Sequence, residues 1–79
     1  MTVEQLLHDV KALCPVVVTR KKAQEITGGA VKVKTLANKD SLGCGPAVRV
    51  KISGGRVAYP RGAFIEWLAK EWEVQRALF

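Results

Sequence analysis

Apolar residues recur at helical spacing from the start of the chain, where Val3, Leu6, Leu7, Val10 and Leu13 form one stripe. Glu4, Asp9 and Lys11 take the wet side. Thr2-Val3-Glu4-Gln5 fits a capping box, in which the Thr2 hydroxyl and the Gln5 side chain each satisfy a free backbone amide. Pro15 stops this helix, because the residue before a proline is pushed out of the α region. The pattern then changes period. Val16-Val17-Val18 is a β-branched run and predicts a short strand. Thr19 follows as a helix N-cap, and Arg20–Ile26 makes two turns with Ala23 and Ile26 turned inward.

Gly28-Gly29 supplies a tight turn before a second short helix, predicted from about Val33 to Leu42. Leu36 is its surest core residue, with Val33 and Ala37 beside it. Lys34, Thr35, Asn38 and Ser41 then share the opposite face. Gly43 ends the helix, and Gly45-Pro46 turns the chain into a strand. Val48, Val50 and Ile52 alternate with Arg49 and Lys51 in a period of two. Ser53-Gly54-Gly55 connects them to a return strand, Arg56-Val57-Ala58-Tyr59. Pro60 suits a strand end or the first position of a last helix. The broad apolar face of that helix comprises Phe64, Ile65, Trp67, Leu68 and Trp72, and the helix is expected to continue towards Phe79.

Helix, glycine turn, helix and basic hairpin, in that order, is the layout of a winged helix-turn-helix. The expected fold class is therefore α+β, with an N-terminal helix, a short strand, a helix-turn-helix pair, a two-stranded wing hairpin and a C-terminal helix. With 79 residues the chain makes one small domain and has little surplus for a deep enzymatic cleft. A hydrophobic content of 48% excludes a fully disordered chain. No apolar run approaches a membrane span, and Met1-Thr2-Val3-Glu4 lacks the features of a secretory signal, so a cytoplasmic location is expected.

Net charge is +6, and its distribution matters more than its total. From Arg20 to Arg61 ten basic residues face only Glu25 and Asp40, a net of +8, whereas the two ends together carry −2. A positive centre between slightly acidic helices points to a polyanion. Cys14 and Cys44 with the single His8 fall short of a structural zinc site, and no metal or cofactor is expected. The bland roles are a small hydrophobe for Cys14 and a loop position for Cys44. No nucleophile, base and acid group together into a catalytic set, so no enzymatic activity is expected.

From Val17 to Leu68 the chain resembles the excisionase-like and AlpA-like proteins of phages and mobile elements, within the wider MerR-type winged-helix group. The resemblance is carried by Thr19 and Ala23, then Gly28, then Thr35-Leu36, then Asn38, Ser41, Gly43, Gly45 and Pro46. It continues through Lys51, Ile52, Gly54, Gly55, Arg56, Val57 and Tyr59, and closes on Trp67-Leu68. Three positions depart from the pattern: Lys32 stands where serine often caps the recognition helix, Lys39 where an apolar residue is usual, and Leu42 where a polar one is. The resemblance implies a recognition helix near Lys34–Leu42 in the major groove and a Ser53–Arg56 wing on the backbone or in the minor groove.

Double-stranded DNA is thus the leading partner, bound by sequence. Lys34, Thr35 and Asn38 are the expected base-reading residues, since asparagine pairs two atoms of adenine and lysine donates to guanine. Arg20, Lys21, Lys22, Lys39, Arg49, Lys51 and Arg56 are expected on phosphates. One small domain binds modestly, so a homodimer or cooperative assembly on DNA is open, with Trp72, Leu78 and Phe79 as a partner surface or, for Trp72, core. The alternative is a protein-interaction module, such as a phage packaging or assembly subunit, whose discriminator is an apolar surface. RNA binding lacks support, because Tyr59 is the hairpin's only aromatic residue.

Overall fold

Thr2 opens the first helix with a reciprocal cap. Its hydroxyl accepts from the Gln5 amide at 3.1 Å, and Gln5 Oε1 accepts from the Thr2 amide at 2.8 Å. The computed structural model describes residues 2–73, and the helix so started is α1, Val3–Leu13. Cys14 follows in extended conformation before Pro15. The stripe of α1 is buried through Leu7 and Val10, but Leu13 is exposed. Cys14 takes the buried place at that end, and its burial raises the thiol pKa while Arg61 pulls it down.

The valine run forms β1 one residue later than expected, as Val17–Thr19, with only Val18 fully buried. Thr19 then caps α2, Arg20–Ile26, by accepting from the Lys22 amide. The helix closes at Gly28 and Gly29, both at positive φ. Their amides donate to the carbonyls of Glu25 and Gln24 in the double hydrogen bond of a Schellman ending. The same ending recurs after α3, Val33–Ser41, where Gly43 and Cys44 donate to Asp40 and Lys39. Gly28-Gly29, expected as a turn, and Gly43, expected as a helix end, all stand at positive φ where the helices close.

Two further strands follow: β2, Val50–Ile52, and β3, Arg56–Pro60, joined by a tight turn over Ser53–Gly55 with Gly54 and Gly55 at positive φ. β3 is the central strand of a three-stranded antiparallel sheet in the order β1-β3-β2. Val18 lies opposite Tyr59, and Lys51 opposite Val57. The short N-terminal strand therefore belongs to the same sheet as the hairpin. Pro60 ends β3, and α4 runs from Arg61 to Glu71. The Arg61 amide donates to the Val16 carbonyl, which ties the start of α4 to the root of β1.

α1 packs on α4, and α2 on α3. Between them and the sheet lie Val18, Leu36, Tyr59, Phe64 and Leu68, all fully buried. Tyr59 stacks near Phe64, and Phe64 near Trp67, with ring centroids 6.5 and 6.3 Å apart. The Trp67 indole donates to the Cys44 carbonyl at 2.9 Å, fixing the loop after α3 to α4.

Several apolar positions differ from the sequence expectation. Val33 is not core: it is 39% exposed, and Val31 of the preceding loop fills the space beside Leu36. β2 begins only at Val50, and its burial does not alternate: Val50 and Lys51 are exposed and Ile52 half-buried, while Val48 lies before the strand and is exposed. α4 stops at Glu71, and Trp72 is already extended, so the helix does not run on through Trp72. Trp72 packs half-buried against the core. Leu78 and Phe79, the other candidates for a partner surface, lie outside the described residues.

Candidate nucleic-acid interface

α3 presents the face that the sequence nominated. Lys34, Asn38 and Ser41 are exposed and Thr35 is half-buried, while Leu36 anchors the other side. The helix begins without a side-chain cap at Lys32. Gln24 of α2 supplies what is missing: its Oε1 accepts from the Val33 amide at 2.9 Å. A free amide in the first helical turn is thereby satisfied from the neighbouring helix. The absent serine at position 32 costs α3 neither its start nor its register.

The expected phosphate contacts divide into two groups. Lys21 and Lys22 on the first turn of α2, Lys51 on β2 and Arg56 at the wing are exposed, and none forms an ion pair among the described residues. Arg20, Lys39 and Arg49 have carboxylate partners. Lys39 Nζ lies 3.8 Å from Glu71 Oε1, and both side chains are about one-third exposed. Such a pair contributes little and releases its lysine easily.

Arg20 is turned inward. Its Nη2 donates to Asp40 Oδ2 at 2.7 Å and its Nε to the Tyr59 hydroxyl at 3.0 Å. The Tyr59 hydroxyl donates to the same Asp40 oxygen at 2.5 Å. Arg49 Nη1 stands 3.7 Å from the other oxygen, Oδ1, at the exposed edge of this group. The Asp40 side chain is only 5% exposed. Gly45 makes the room for it, since a Cβ at position 45 would collide with the Asp40 carboxylate. One carboxylate thus joins α2, α3, β3 and the chain entering β2. Arg20, expected on phosphate, is bonded to Asp40 and Tyr59 while its side chain stays 23% exposed.

Burial pushes the Tyr59 hydroxyl up to about 12, and its hydrogen bond to Asp40 adds to the effect. For Arg20, burial opposes the charge, but the hydrogen bonds to Asp40 and Tyr59 outweigh it and hold the guanidinium above its usual range. Tyr59 is an acid whose folded-state pKa exceeds the ordinary value near 10. Between about pH 10 and about pH 12 the unfolded chain has lost this proton and the folded one keeps it, so stability falls as pH rises through that window. We expect the melting temperature of the wild type to drop more steeply there than that of Tyr59→Phe. Parallel curves for the two proteins would remove the tyrosine from the account.

The structure also brings together residues that the sequence keeps apart. A cleft of about 260 Å³ lies where the starts of α2 and α3 meet the β2–β3 hairpin, lined by Thr19, Arg20, Lys21, Val33, Gly55, Arg56 and Val57. Lys34 follows Val33 directly, so the leading turn of α3 and the hairpin cation Arg56 flank one opening. Asp40 and Gln24 were missed in the sequence. The signal for Asp40 was present: it stands four residues after Leu36 and therefore on the core side of α3.

Among the described residues, no grouping of histidine, cysteine and acidic side chains suits a metal ion, and no helix is long and apolar enough to cross a membrane. The fold and its surface define a small α+β protein with a three-stranded antiparallel sheet, four helices among the described residues, and exposed cations on α2, α3 and the hairpin. Comparison with protein families, with curated proteins and with solved structures found no match to this chain.

Proposed function

We propose that this chain is a sequence-specific, double-stranded DNA-binding domain of the winged helix-turn-helix type, without catalysis. It would serve in the cytoplasm as a small excisionase or transcriptional regulator of the phage and mobile-element kind. The observation that carries the reading is the shared opening between the first turn of α3 and the wing, with Lys21 and Arg56 across it. The element order and the β1-β3-β2 sheet agree with it. α3 lies in the major groove, where Lys34, Thr35 and Asn38 meet base edges. Lys21, Lys22, Lys51 and Arg56 meet phosphates directly, and Lys39 and Arg49 join them by leaving weak partners. Arg20, which lines the same cleft, is bonded to Asp40 and is the least free of these cations. Affinity beyond that of one small domain comes from side-by-side occupancy or a homodimer.

A second reading, a protein-interaction or packaging subunit, draws on exposed Leu42, Val48 and Val50. A backbone amide NMR titration with a random-sequence duplex at low and moderate salt separates the two. DNA binding gives shifts over Lys34–Leu42 and Arg49–Arg56 that weaken with salt. Absence of shifts, or shifts confined to α4, overturns the DNA reading and leaves the interaction module.

A further inference from the structure

Val33 is an exposed β-branched residue at the first position of α3, where solubility alone favours a polar side chain. It is not idle surface. It lines the same cleft as Val57 and Gly55, together with the cations Arg20, Lys21 and Arg56. The cleft therefore brings apolar and cationic side chains together. Its volume of about 260 Å³ falls below the range of about 300–1,000 Å³ typical of drug-sized ligand sites. A small apolar group attached to a polyanion fits both features.

Duplex DNA carries one such group in its major groove, the 5-methyl of thymine, and apolar side chains are its usual readers. We infer that the cleft between the first turn of α3 and the wing takes the 5-methyl group of a pyrimidine, with Val33 as its principal contact and Lys21 and Arg56 on the flanking backbone. The inference rests on the DNA-binding reading and adds to it a position read by shape and apolar contact. Lys34, next in sequence, sits over the neighbouring base pair. The pocket recognises a methyl group and not thymine as such. At the same position a 5-methylcytosine is therefore bound better than a cytosine.

The test uses the full chain and a duplex enriched from random sequence by binding to it. Each thymine is replaced singly by deoxyuridine, which removes only the methyl group, and affinity is followed by fluorescence anisotropy at fixed salt. Burying one methyl is worth about a fourfold change in affinity. At one thymine the wild type is expected to lose about that factor, and Val33→Ala to bind the thymine and deoxyuridine duplexes alike. A matched pair carrying cytosine or 5-methylcytosine at that position is expected to differ by the same factor for the wild type only. A scan in which no methyl matters overturns the inference while leaving DNA binding in place. So does a methyl effect that survives unchanged in Val33→Ala. Failure to enrich any duplex overturns both readings. The deoxyuridine scan is made on the wild type, so its outcome does not depend on how the variant folds.

Discussion

Asp40→Ala is expected to lose about 3–5 kcal/mol of stability, the usual result of removing one member of a buried ion pair. Nothing else can replace this carboxylate. Arg20 would keep its charge with no partner at 2.7 Å, and the Tyr59 hydroxyl would lose its acceptor inside the core. A domain of this length has a total stability of about 4–12 kcal/mol. The variant therefore loses a large share of its stability, and urea denaturation should show a much reduced midpoint, close to zero if the wild type lies at the low end of that range. Arg49→Ala provides the contrast. Its 3.7 Å contact to the same carboxylate is made by a side chain more than half exposed, and its loss should cost under about 1 kcal/mol. If Asp40→Ala proves as mild as Arg49→Ala, the buried network is not what holds α3 to the sheet.

The second large effect concerns salt. Each phosphate neutralised on duplex DNA contributes about −0.9 to the slope of log K against log[salt]. Five or six engaged cations give a slope of about −4.5 to −5.5, and binding weakens about a thousandfold between about 50 and about 200 mM salt. The double change Lys51→Ala, Arg56→Ala should bring the slope down by about 1.8 and weaken every sequence to the same extent. Asn38→Ala should behave differently, costing about 1–3 kcal/mol at one base position and leaving the slope unchanged. A flat salt response in the wild type would remove the phosphate clamp from the proposal. Equal losses on all sequences for Asn38→Ala would remove its reading role.

Much of the backbone path was legible in the sequence, because it is set by local chemistry. Thr2 with Gln5, Thr19, Gly28 and Gly43 each act through residues no more than four positions away, and each stands at a helix end as expected. The side-chain network was not legible in the same way. Arg20 and Tyr59 lie twenty and nineteen residues from Asp40, and only the folded sheet brings them to it. Counting charges placed Asp40 among the few acids opposing a basic centre. Its helical phase relative to Leu36 places it inside. The opposite error befell Val33, which shares Leu36's side of the helix by spacing. Val33 sits at the very start of α3, where the helix projects past the core, and Val31 closes the gap first. Val50 shows the limit of strand alternation. A period of two separates two faces, but it does not say that either is covered.

The position of β3 between β1 and β2 makes the two strands of the hairpin unequal. β3 is gripped on both sides, carries Tyr59 into the interior and leads directly into α4. β2 has three residues, one neighbour and a free outer edge. Local opening is easiest where buried contacts are fewest. The hairpin can thus peel from its outer side, moving its tip while the helices keep their setting. Motion at the hairpin can then be decoupled from the setting of α3.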